Sequence, residues 1–479
     1  MSANIKIGND TLQGVNAVEL ENADALGSYV RFTLGSGIEG GYTVTFVANG
    51  SNFEVCSVVA GKSVAQPNTP TSEGQIFSGW YTDATGGTEV TFPYTPTQDT
   101  TLYARFVDLI IVGVTGLTNE NGILTFTDDI AGVGAYTTSQ EGNYVSVTNP
   151  LSNYFPFNQI SEFTDAEGNV FVKYPQLWMK WELDTNGNIN GYKFSNGNAG
   201  EGYFIPDAFL DPSVLLSDTY LPYFALGKYE MSGSRAKGFS KSGQTCLVDV
   251  TREAAGDAAR AYGNAANLYK GYQQLDFAQY TLYNLMCMMF YGTPNIQKVY
   301  GGRTGQGTVA SWSGASATGT CDGVTGMNGW NVSTDCVKML GVENPYGNIS
   351  KWCDGVSYGK KGFVNVLIDA ERYPQNFIIA AGNYIGFNRP SSEGYIKYFK
   401  HGTTDLTRSY MYASEIGGSA STYCGDYTSF EATAHVLYVG GDWDDGSNAG
   451  LWRLCDGVDA ISYSNPDIGA RLSYRPIQI

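Results

Sequence analysis

Val439-Gly-Gly-Asp-Trp443, running on through Asp444-Asp-Gly-Ser-Asn-Ala-Gly-Leu-Trp452, decides how the C-terminal part of this chain is read. Adjacent glycines let one backbone pass close to another where a side chain would clash. The tryptophans supply large packing areas. Between them lie short polar residues and carboxylates with neither a helical nor a strand period, so the stretch reads as irregular backbone held between struts. Irregular backbone on a rigid scaffold is where binding residues concentrate. Gly347-Asn-Ile-Ser-Lys-Trp352 upstream and Ile468-Gly-Ala-Arg-Leu472 downstream have the same mixture. Trp352, Trp443 and Trp452 are read as scaffold, and Arg471 as scaffold held in a structural ion pair.

Working outward, residues 151–479 form one large domain. Tyr174–Trp181 alternates as a strand and meets an Asn/Gly-rich turn at 185–191. Two helices follow. Thr251 caps the first, whose Ala255, Ala258, Ala259 and Tyr262 share one face. Asp276 caps the second with Gln279 three residues on, and from Leu282 to Phe290 it is apolar on nearly every side, hence buried, stopping at Gly292. Its Met286, Met288 and Met289 read as core packing. After Gly301 no segment has a long helical period. The run Gly301-Gly-Arg-Thr-Gly-Gln-Gly307 lacks the Lys-Ser/Thr ending of a phosphate loop and is set aside.

Three smaller β-rich segments precede this domain. Residues 1–40 make short strands and end near Gly35-Ser-Gly37, a hinge. Residues 41–107 open on the alternating Tyr42-Thr-Val-Thr-Phe46 and close on Thr101-Leu-Tyr-Ala-Arg-Phe106, with Trp80 in the core. Residues 108–150 read as a β-rich connector that pairs between chains.

Charge narrows the function classes. With 46 acidic against 28 basic residues the net charge is −18, and no basic run offers the clustered Lys and Arg that phosphate contacts need. Nucleic-acid binding is therefore excluded. Two histidines, His401 and His435, cannot build a multi-histidine centre. The longest apolar runs fall far short of the roughly 20 residues of a membrane-spanning helix, and the first residues lack the charged and apolar regions of a secretory signal. The eight cysteines contain no C-x-x-C pair and are expected as reduced, partly buried thiols.

Two resemblances add to this. The opening Y-T-V-T-F, the run Glu73-Gly-Gln-Ile-Phe-Ser-Gly-Trp-Tyr-Thr-Asp83 and the closing T-L-Y-A-R-F resemble the internalin-type B-repeat, a small β-grasp-like spacer or adhesion module without catalytic residues. G-N-x-x-x-W at 347–352, G-G-x-W at 440–443, G-S-N-A-G-L at 446–451 and G-x-R-L at 469–472 resemble the C-type-lectin-like fold. The branch is that of formylglycine-generating enzymes and the variable proteins of diversity-generating retroelements, many of them phage receptor-binding proteins. This second resemblance spans about 170–479. Together they imply an α+β fold class, with small N-terminal β units followed by a large C-type-lectin-like domain of two helices and extensive loops.

The resemblance points to a ligand-binding surface made of Asp442, Asp444, Asp445, Arg453, Cys455, Asp456, Val458, Asp459 and Tyr463, extended by Tyr423, Asp426 and Tyr427. In that family, template adenines are mutagenised, and the residue types here suit such a face. A plain acidic loop is the equally weighted alternative. Enzyme readings fare worse. Cys455 is 31 positions from Cys424, so the close cysteine pair of the formylglycine chemistry is missing. No E-P-N or Q-P-D loop supports a calcium lectin, although oxygens at 442, 444 and 445 keep a hard cation in play.

The expectation is thus a non-enzymatic phage virion protein without cofactor or metal, carried on the virion surface after assembly in the host cytoplasm. It binds a host-surface protein or glycan, contacts other virion proteins through its N-terminal region, and forms a homo-oligomer, a trimer by resemblance. A bacterial cell-surface adhesin, which would carry an anchor, and a structural virion decoration protein are the alternatives.

Overall fold

The computed structural model describes residues 3–7, 10–23, 27–34, 41–211, 219–262, 271–359, 363–367, 384–388, 390, 392–401, 410–429, 435–455 and 462–476. Side chains are described from Gly41 onward, apart from 357–359, 363–367, 384–388 and His435. The chain divides into two units, Met1–Leu109 and Ile110–Ile479.

In the first unit, strands Ala3–Ile7, Asp10–Ala23 and Gly27–Leu34 form an antiparallel sheet. A four-stranded sheet follows, in the order Ser51–Val59, Gly41–Ala48, Thr100–Asp108, Gln75–Tyr81, and its central pair is parallel. Val44 and Phe46 lie opposite Thr100 and Leu102. Strand alternation puts Val44, Phe46 and Leu102 on one face, where Trp80 meets Phe46 edge-on at 4.8 Å.

The second unit is mostly β, with two α-helices among the described residues. Its first strands correct the connector expected at 108–150. Ile111–Thr115 pairs with Ile189–Ser195, Val112 opposite Phe194. Val112, Val114, Leu117, Ile130 and Leu151 all enter the main core. The segment therefore builds this unit. Strand Leu472–Tyr474 lies between Tyr223–Gly227 and Tyr272–Gln274, so the end of the described chain closes a sheet begun some 300 residues earlier at Ser161–Thr164.

Helix α1 is Arg252–Arg260. Thr251 accepts from the Ala254 N–H, and Ala255, Ala258 and Ala259 are buried with Tyr262. Helix α2 is Phe277–Tyr291. Asp276 and Gln279 form a full capping box, Gly292 ends the helix with φ 66°, and every residue between is buried. The Asp276 carboxylate also holds Arg475 at 2.5 Å, and Asp354 holds Arg252 at 2.6 Å. These buried ion pairs tie the helices to strands far off in sequence.

Candidate ligand-binding face

The stretch from Val439 to Cys455 is built on α2. Leu451 carbonyl accepts from Asn284 Nδ2 at 2.7 Å and from the Tyr280 hydroxyl. Trp452, fully buried, donates Nε1–H to Met288 Sδ at 2.8 Å and packs on Tyr280 and Phe399. Trp352 is equally buried in a second core, donating to Val250 carbonyl at 2.8 Å. The glycines between are sterically required. Gly440 and Gly441 have φ of 89° and 71°, and a Cβ on Gly441 would meet Ala449 Cβ at 2.8 Å. A Cβ on Gly450 would collide with the Asp426 carboxylate.

On this frame the turn 442–448 stands outward. Asp442 N–H donates to Asp445 Oδ2 at 3.1 Å, and Asp444 N–H to Asp442 Oδ1 at 2.9 Å. Gly446 N–H donates to Thr304 carbonyl at 2.8 Å, and Gln297 Nε2 to Ala449 carbonyl at 2.5 Å, bracing the turn from below. Asp444 is exposed and Asp445, Ser447 and Asn448 are partly exposed. Arg453 reaches Asp445 at 3.5 Å and lies 5.4 Å from the Tyr427 ring. Tyr395 packs edge-on against Tyr427 and hydrogen-bonds Ser447 at 2.8 Å. Burial pushes the Asp442 carboxyl well up, and the charges of Asp445, Asp467 and Asp444 push the same way.

The expected site residues fall into groups. Asp444, Asp445 and Tyr427 come together on this face, and Asp442 and Arg453 are buried against them. Cys455 lies behind it, 5% exposed, between Ser429 and the Tyr438 hydroxyl. Asp426 is fully buried. Its Oδ2 accepts the Trp452 N–H at 2.7 Å, and burial pushes it up to about 8, so it supports the turn from within. Tyr423 stands on another loop, donating its N–H to Glu120 carbonyl and facing Tyr398. Tyr463 packs against the core that holds Trp352. Asp456, Val458 and Asp459 lie outside the described residues.

Two scaffold expectations change. Trp443 is partly exposed and belongs to neither core, so it is a face residue. Arg471 makes no ion pair among the described residues. Buried, it donates to the carbonyls of Gly227, Lys228, Glu343 and Asn344 at 2.6–3.1 Å. Four carbonyls satisfy a guanidinium without a carboxylate.

Other residues escaped the sequence reading. Glu230, fully buried, holds Lys351 at 3.0 Å and Asn348, which fixes the start of the strand bearing Trp352. The run 301–307 leads into N–H groups of Thr308 and Val309 that bind an internal carboxylate, Asp335, at 2.6 and 2.9 Å. Among the described residues, Cys321, Cys336 and Glu343 are the side chains whose ligand-type atoms gather within 4.8 Å; the acidic turn forms no such group. Glu343 already accepts the N–H of Gly319 and Cys321, and burial pushes it up to about 7. Seven of the eight cysteines are buried.

Residues 42–105 match the Listeria-Bacteroides repeat domain. This is the internalin-type repeat expected from the sequence. Over 67 residues the chain is 42% identical to Internalin H of Listeria monocytogenes serovar 1/2a (strain ATCC BAA-679 / EGD-e), which is 14% of this chain and 12% of that protein. The chain therefore spans only a small part of that relative. Among solved structures, the U1 variant of Major Tropism Determinant is similar with a TM-score of 0.27 and 13% identity, over 79% of this chain and 76% of that one. No helix among the described residues is long and apolar enough to cross a membrane.

Proposed function

We propose that this chain is a non-enzymatic receptor-binding protein of a phage particle, which presents the turn 442–448 with Tyr427 to a host-surface ligand. The observation that carries it is the split within one short stretch. Gly440, Gly441, Leu451 and Trp452 are buried or sterically closed, whereas Trp443, Asp444, Asp445, Ser447 and Asn448 reach solvent. Such a frame tolerates changes of face without changes of fold, which suits the variable proteins that the C-terminal motifs resemble. A partly exposed aromatic beside carboxylates and short polar residues offers contact area at low entropy cost. The N-terminal sheet serves as the attachment to the particle and the repeat as a spacer. Trimeric assembly and many copies per particle then multiply a modest affinity.

The test is saturable binding of the purified full chain to a panel of bacterial isolates. Trp443→Ala is expected to weaken binding about 10- to 100-fold and Asp444→Ala about 3- to 10-fold, the scale of central and peripheral interface residues. Absence of saturable binding to every isolate, or binding indifferent to both substitutions, contradicts the proposal. A bacterial surface adhesin is the second reading, favoured by the likeness of residues 42–105 to Internalin H.

A further inference from the structure

A cleft of about 900 Å³ opens in the second unit, away from the residues assigned above. One wall is the hairpin of Thr137–Glu141 and Tyr144–Thr148, and the other is the segment 323–328. Its floor is buried and mixed in character, with Phe157, Phe290 and Leu340 beside the amides of Asn149 and Asn328. Its rim is exposed and hydroxyl- or amide-bearing, as at Ser139, Gln140, Ser152 and Thr325. A single charged side chain, Glu141, lines it.

Asn328 is the decisive residue. It is 4% exposed, and its Oδ1 accepts both the Leu340 N–H at 2.7 Å and the Tyr291 hydroxyl at 3.1 Å. The Leu340 N–H fixes which end of the amide is oxygen. Nδ2 therefore sits on the cleft floor with two N–H groups and no acceptor among the described residues. The residue is buried but this nitrogen is open to the cleft, so it is the donor that a ligand entering the cleft meets on the floor. Asn149 beside it is held at both ends of its amide, its oxygen by Leu151 N–H and its nitrogen by Phe290 carbonyl.

We infer that this cleft binds a neutral oligosaccharide. The volume suits a small ligand of a few rings. Without a Lys or Arg in the lining, an acidic sugar, phosphate or carboxylate finds no counter-charge, and the −18 net charge opposes it further. A lipid would strand the polar rim. Hydroxyl groups satisfy Asn328 Nδ2 and the rim amides, while the apolar face of a sugar ring lies on Phe157.

The experiment is calorimetry with saturation-transfer NMR on the full chain. The probes are neutral trisaccharides of glucose, galactose, mannose and N-acetylglucosamine, and a sialylated trisaccharide. At least one neutral probe is expected to bind saturably. Asn328→Asp keeps the two accepted bonds and removes the donors, and is expected to lose affinity at least 10-fold. Thr325→Trp, an exposed rim change that does not depend on core repacking, is expected to abolish binding. Cell attachment is read separately with Trp443→Ala, so the two sites fail independently. Three results overturn the inference: no neutral probe saturates, only the sialylated probe binds, or binding persists within twofold in Thr325→Trp.

Discussion

At the level of single residues, the candidate face separates positions that build the turn from positions that decorate it. Gly441→Ala forces a left-handed φ on alanine and sets its Cβ against Ala449, so a loss of about 1–3 kcal/mol is expected from denaturant unfolding. Asp444→Ala, at an exposed position, is expected to change stability by no more than about 0.5 kcal/mol. Asp426 gives a pH signature. Its folded value of about 8 lies above the ordinary 3.8, and that of Glu343, about 7, lies above 4.5, so the native state holds these protons longer than the unfolded chain. Stability should therefore fall as pH rises from about 5 to 8. Asp426→Asn keeps an acceptor for Trp452 N–H and should flatten that fall in a series of thermal melts. The burial of Trp352 and Trp452 was legible in the sequence, because a tryptophan among glycines has few places to go except a core. Trp443 has the same local context yet stays outside, because Gly440 and Gly441 turn the chain away before it, and that depends on conformation that no motif states.

Among the secondary-structure elements, α2 is both core and platform. Its apolar run and capping pair were readable because each rests on residues close together in the sequence. What it supports was not. Tyr280, Asn284 and Met288 reach residues 451–452 across more than 160 positions, and Arg475 reaches Asp276 across 199. Leu285→Ala is expected to cost about 2–5 kcal/mol through the cavity it leaves. Asp276→Ala removes both the cap and the carboxylate that Arg475 meets at 2.5 Å, for about 3–5 kcal/mol by the same unfolding measurement. The segment 108–150 was misassigned as a connector for a related reason. Short alternating runs announce that they are strands but not which strands they join: Ile111–Thr115 pairs with the nearby Thr125–Asp128 and also with Ile189–Ser195, far off in sequence.

For the whole molecule, the division after Leu109 predicts that residues 110–479 fold alone, with a thermal midpoint within a few degrees of the full chain's. A large loss of stability in that piece would mean that the first unit completes the second. The net charge of −18, which at first served to exclude nucleic acid, is expressed locally at Asp444 and Asp445 on a turn that solvent reaches, with Asp442 buried beneath them. The central claim is that this turn is where the host-surface ligand sits. Hydrogen exchange of the full chain, free and bound to envelopes of an isolate it recognises, tests that most directly. Slowed exchange across 440–455 and at Tyr427–Thr428 is the predicted result, whether or not the cleft beside Asn328 is also protected. Saturated binding that leaves exchange in 440–455 unchanged would contradict it.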